Sequence, residues 1–134
     1  MPTLFTKIIL GEIPAHKVAE TDDFLAFLDI HPLQMGHVLV IPKTEIDYIF
    51  DIHDKLYTNM MLFAKVVAKA IKIAMPCTKV GVAVIGLEVP HAHIHLIPMN
   101  HVADMDFSKP KLNPTQVELS EVALKIVNAM PEVS

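Results

Sequence analysis

The sequence predicts an α+β fold: an antiparallel sheet with one long helix beside it and a second helix near the C-terminus. Three observations carry this. Strand-like apolar runs occupy residues 16–42, give way to one long helical pattern over 54–75 and return over 79–98, without the regular βαβ alternation of a doubly wound sheet. The connection at Thr21-Asp22-Asp23 is a tight turn, too short for a crossover, so the strands it joins run antiparallel. From Asp54 to Met75 apolar positions crowd round a helix while Lys65, Lys69 and Lys72 recur at steps of four and three, a helical spacing.

In chain order, Thr3 can cap a short helix through Ile9, which Gly11 stops and Pro14 keeps from resuming. Residues 16–20, 24–29 and 37–42 follow as strands, with the loop 30–36 marked by Pro32 and Gly36. The lysine stripe makes a solvated face on the main helix, which Pro76 ends. Residues 79–86 and 91–98 are two further strands around the connection "LEVP". Asn113 as cap, Pro114 at the first position and Gln116 as the capping-box partner predict a last helix to about Met130.

A chain of 134 residues suits one domain, here 1–134. It is 52% apolar with a mean hydropathy of +0.43, yet charges interrupt each apolar run before the ~18 residues a membrane span needs. The surplus apolar surface is better explained by a subunit interface, and a homodimer is expected. A net charge of -4 with no densely basic stretch argues against DNA or RNA as a partner. The only cysteine, Cys77, rules out an intrachain disulfide and a Cys-rich zinc cluster. The first residues hold one lysine and a short apolar stretch broken by Gly11 and Glu12, which reads as cytoplasmic.

The chemistry is concentrated in "HAHIHLIP", residues 91–98. In a strand His91, His93 and His95 point one way while Ala92, Ile94 and Leu96 point to the core, the imidazoles standing roughly 7 Å apart at the backbone. Three half-exposed histidines without a task are the plain alternative. Two chemical readings compete with it. Alternate imidazoles can deliver nitrogens to a metal ion, although neither CxxC nor HExxH is present. Alternatively a neutral imidazole attacks phosphorus while a protonated neighbour stabilises the phosphate, one ring fixing the tautomer of the next.

The same stretch resembles the H-φ-H-φ-H-φ-φ signature of the histidine triad (HIT) superfamily, whose members act on the α-phosphate of nucleotides. "LFTKIILGEIPAHKVAETDDFLAFLDIHPLQMGHVLVIPK" is similar to the N-terminal half of the Hint branch in its short helix, its "EIPA", its "LAFLDIHP" and its "HVLVIPK". The resemblance spans roughly residues 3–98 and implies a HIT-like fold that dimerises.

It also implies roles. The middle histidine, His93, would be the nucleophile that forms a nucleotidyl-histidine; His95 and His91 would orient it and bind phosphate oxygens; His37 would support the triad from the adjacent strand. Asp29 would accept the ribose hydroxyls, with a turn residue as its plain alternative. Leu4, Phe5, Ile8, Ile13, Phe27 and Ile30 would line a purine pocket, though alone they read as core. Gly86 and Glu88 match the loop that approaches phosphate, glycine suiting close approach. Two positions depart from the family: Leu87 stands where glutamine is frequent, and Glu88 replaces the serine of Hint proteins, which suits a positively charged amine better than phosphate. The implied substrate is a purine nucleotide such as AMP or an AMP-amine conjugate, with no metal and no cofactor. Phosphoramidase activity comes first, then dinucleoside polyphosphate hydrolysis or a non-catalytic nucleotide-binding module.

Overall fold

Side-chain alternation gives one sheet two different faces. The computed structural model describes residues 2–131. Strands β1 (Lys17–Glu20), β2 (Phe24–Leu28), β3 (Val38–Pro42), β4 (Lys79–Ala83) and β5 (Ile94–Met99) form a five-stranded antiparallel sheet in the order β1-β2-β3-β5-β4. Phe24, Ala26 and Leu28 of β2, Val38 and Val40 of β3, and Ile94 and Leu96 of β5 bury themselves on one face. There they meet Met60, Val67 and Ile71 of helix α2 (Asp54–Ala74) and Leu119, Val122 and Ile126 of helix α3 (Gln116–Ala129). Leu25 and Phe27, with Leu39 and Ile41, turn to the other face, where Phe5 and Ile8 of helix α1 (Leu4–Ile9) cover them. Both faces are therefore apolar in the central strands, which explains why β2 and β3 are buried at every position instead of alternating in polarity.

The observed α+β architecture is the expected one, and its differences lie at element ends. β5 begins at Ile94 and not at His91, because its ladder to β3 ends at the pair Val40 and Ile94. The preceding backbone is held by other partners: His91 N–H donates to the Val89 carbonyl at 2.8 Å and Ala92 N–H to that of Ile46 at 2.7 Å. β4 likewise stops at Ala83, short of Gly86. Side-chain alternation persists through the irregular stretch, so Ala92 still joins the helix-side core. The cap of α3 is Thr115, whose hydroxyl accepts from Glu118 N–H while Glu118 reaches back to Thr115 N–H. Asn113 and Pro114 stand outside that helix, and the capping-box partner is Glu118 rather than Gln116. Thr3 caps α1 as expected, Lys65, Lys69 and Lys72 are exposed, and no helix among the described residues is long and apolar enough to cross a membrane.

Candidate active site

The face covered by α1 carries the histidines. His37 lies two residues before Leu39, the register partner of His95, so His37 and His95 fall on the same side of neighbouring strands. His37, His91, His93 and His95 are each less than one-tenth exposed, not half-exposed. Burial obliges each ring to find partners, and these partners fix the protons. Leu33 N–H donates to His37 Nδ1 at 3.1 Å, so the His37 proton sits on Nε2 and is donated to His95 Nδ1 at 2.9 Å. His95 then carries its own proton on Nε2. His91 Nε2–H donates to the Pro42 carbonyl at 2.8 Å, and His91 Nδ1 accepts the Thr3 hydroxyl at 2.8 Å. His93 Nδ1–H donates to the His91 carbonyl at 2.7 Å, which leaves the His93 Nε2 lone pair unengaged. The His93 ring centre stands 5.0 Å from that of His95 and 5.0 Å from that of Phe5.

A further chain of contacts stands behind His91. Glu45 accepts Thr3 N–H and the Thr6 hydroxyl, each at 2.7 Å, and Thr6 N–H donates to Thr3 Oγ1 at 3.1 Å. One exposed carboxylate thus ties the first turn of α1 to the histidine that supports His93. The sequence names Thr3 only as a helix cap, and no local signal marks Glu45, which meets its partners through the fold.

Burial sets the charge state. It pushes the pKa of His37 down to about 3, with the charges of His95, Lys111 and His93 adding to the effect. It pushes His95 down to about 4, again with His93 and Lys111 contributing, and lowers His91 against the opposing hydrogen bond to Pro42. The expected protonated neighbour is therefore not His37, His91 or His95, which are neutral at pH 7. Asp29 follows β2 and is half-buried; burial raises its pKa, opposed by the His31 N–H that its Oδ1 accepts at 2.9 Å. Its Oδ2 lies 3.8 Å from His37 Nε2. Asp29 thus fills the turn role with one oxygen and keeps the other toward the histidines.

Asp29, His37 and His95 each offer an atom within 4.8 Å of the others, the spacing of a metal site. The fit is poor. His37 Nε2 and His95 Nδ1 are 2.9 Å apart with a proton between them, closer than the about 3.3 Å that separates nitrogens in a tetrahedral site with bonds near 2.05 Å.

Of the expected purine-pocket residues, Phe5, Ile8 and Phe27 are buried together with Ile13 packed against them, and the Phe5 and Phe27 rings meet edge to face at 5.5 Å. Leu4 and Ile30 are about half exposed and stand outside this cluster. Gly86 has a φ of +69°, a left-handed backbone that favours glycine, and no protein atom lies within 4 Å of where a Cβ would stand. Glu88 is exposed in the same loop. Two residues with no signal in the sequence complete the surroundings. Phe107 packs its ring 4.9 Å from that of His95 and 6.3 Å from that of His37, and Lys111 holds its ammonium 5.7 Å from the Phe107 ring centre.

The chain is similar to known proteins in sequence and fold. The profile of the HIT domain matches residues 10–102. An uncharacterized HIT-like protein of Borreliella burgdorferi is 34% identical over 131 residues, covering 92% of this chain and 94% of its own. The adenosine 5'-monophosphoramidase of Saccharomyces cerevisiae is 43% identical over 96 residues, 71% of this chain but only 61% of the yeast protein. The crystal structure of a Hit-like protein from Bartonella henselae superposes with a TM-score of 0.84 at 31% identity, covering 96% of each chain.

Proposed function

The chain belongs to the HIT family, and on that premise we propose that it is a purine nucleotide-binding hydrolase acting at the α-phosphate through a nucleotidyl-histidine on His93. Its first substrate class is the nucleoside phosphoramidates. The observation that carries the reading is the 2.7 Å hydrogen bond from His93 Nδ1–H to the His91 carbonyl, which fixes the tautomer and aims an unprotonated Nε2 outward. The activity named for the yeast relative supports the choice of leaving group.

In this mechanism His93 Nε2 forms a bond to phosphorus as the phosphorus–nitrogen bond opposite breaks. The departing amine keeps that electron pair and takes a proton from solvent. Water then attacks phosphorus and releases a proton to solvent, the His93 bond breaks, and the imidazole regains its lone pair as the nucleoside monophosphate forms. His95 presents Nε2–H as a donor to the phosphoryl oxygens, and His37 holds it in that tautomer. His91 has both ring nitrogens engaged inside the fold, so of its two implied tasks it performs orientation and not phosphate binding. Asp29 receives the ribose hydroxyls, and Phe5, Ile8, Ile13 and Phe27 form the apolar wall for the base, with Leu4 and Ile30 at its rim. The Gly86 and Glu88 loop closes on the phosphate side, where Glu88 meets an amine.

Hydrolysis of an adenosine 5'-phosphoramidate in excess chelator tests this directly. Wild-type turnover should survive the chelator, and His93→Ala should abolish turnover and the covalent intermediate while still binding AMP. Unchanged turnover in His93→Ala would sink the assignment. Faster cleavage of a dinucleoside polyphosphate would move the substrate class to phosphoanhydrides, and AMP binding without any turnover would leave a binding module.

A further inference from the structure

Burial keeps His37, His91 and His95 uncharged at pH 7, so these three rings bring no fixed positive charge to a phosphate. The chain contains 11 basic residues, all of them lysine, so no guanidinium is present to clamp a phosphoryl group. Lys43 already pairs with Glu20 at 2.8 Å. Lys111 is placed differently. Its ammonium donates to the Phe107 carbonyl and lies beside the Phe107 ring, and that ring packs on His95 and His37. Leu112 N–H donates to the Pro32 carbonyl at 2.9 Å, which pins this segment to the loop that follows Asp29. Asp106, the carboxylate of the same segment, is engaged by Ser108 through N–H at 2.9 Å and Oγ.

We propose that Lys111, carried by Phe107 to the rim of the histidine cluster, is the cation that binds the phosphate of the nucleotide. The inference rests on the nucleotide reading of the site and adds to it a specificity: the site selects a nucleoside that bears an anionic phosphate over the nucleoside alone. The side chain is exposed and long enough to leave the Phe107 carbonyl, a neutral partner, for a charged one. The electrostatics agree, because Lys111 is the lysine whose charge opposes protonation of Asp29, His37 and His95 together.

Calorimetric titration with AMP and with adenosine tests it, on wild type, Lys111→Met and Lys111→Arg. Met keeps the apolar stem against Phe107, and both variants change an exposed residue. Wild type should prefer AMP. Lys111→Met should weaken AMP by about tenfold or more, as expected for a hydrogen bond to a charged group, and leave adenosine within about twofold. Lys111→Arg should retain most of the AMP affinity. Equal losses for the two ligands, or no loss for AMP, would overturn the role of Lys111 while leaving the nucleotide site standing. Wild type that binds neither ligand would overturn both.

Discussion

At the scale of single residues, the site is a set of protons assigned by buried partners. The Thr3 hydroxyl matters because His91 Nε2–H is committed to the Pro42 carbonyl, so Nδ1 must accept and Thr3 must donate. Thr3→Val keeps the shape and leaves a buried imidazole nitrogen unsatisfied, at a cost of about 1–3 kcal/mol in stability. It also removes the hydrogen bond that seats the His91 ring, on the residue whose carbonyl orients His93. We therefore expect kcat of the proposed hydrolysis to fall by about tenfold, equivalent to about 1.4 kcal/mol of the barrier, with KM within about twofold. Thr3→Ser should restore both quantities. A Thr3→Val enzyme with lost stability but unaltered kcat would reduce the hydroxyl to a helix cap. His91, His93 and His95 are legible in the sequence because a period of two survives even where the ladder has ended. The Thr3, Thr6 and Glu45 contacts are not, since they join residues about 40 positions apart through the packing of α1.

Among the elements, the pairing of β3 with β5 has a thermodynamic consequence. It buries His37 against His95, holding their pKa values at about 3 and about 4, whereas in the unfolded chain both return to about 6.5. As pH falls from 7, the unfolded state takes up protons that the native state refuses. Stability is thus full above about pH 6.5 and declines below it, each histidine contributing up to about 1.4 kcal/mol per pH unit until its folded pKa is reached. Asp29 acts in the opposite sense: with its pKa raised by burial, the native carboxyl binds its proton more readily than the unfolded one, so acidification through that range favours folding. Urea denaturation at pH 7, 6 and 5 should show a progressive loss, and His95→Asn should flatten it. A wild-type curve that is level across this range would contradict neutral burial of the pair. The strands and the helices were legible in the sequence from their periods, whereas their ends were not. β5 loses its partner three residues after His91, and Thr115 outcompetes Asn113 as a cap because only Thr115 has an acidic residue three positions on. Phe107 and Lys111 sit in the irregular segment between β5 and α3, where no period exists to be read.

For the whole molecule, the arrangement leaves one sheet edge apolar and unpaired. Among the described residues β4 is an outer strand bonded only to β5, and beside it Val82, Tyr48, Phe50, Tyr57, Met61 and Leu87 line an open cleft of about 550 Å³. Val82 is 55%, Phe50 70% and Leu87 90% exposed, and beyond Lys79 at its start this edge strand carries no charge, which leaves it a template for another strand. The occupant we expect is a second copy of this chain, because antiparallel pairing of β4 with itself about a two-fold axis is self-complementary. It would extend the sheet and bring the two apolar clefts together without exposing a new edge. Gly86 and Ala92 border the same cleft, so the interface would adjoin the loop and the strand start that carry the histidines. Sedimentation equilibrium should find a dimer for the wild type. Val82→Lys, which puts a charge at the centre of the edge and leaves its own core untouched, should give a folded monomer. A wild-type monomer at tens of micromolar would remove the interface, and a dimer unaffected by Val82→Lys would place it on another surface, such as the exposed Val117 and Leu124 of α3.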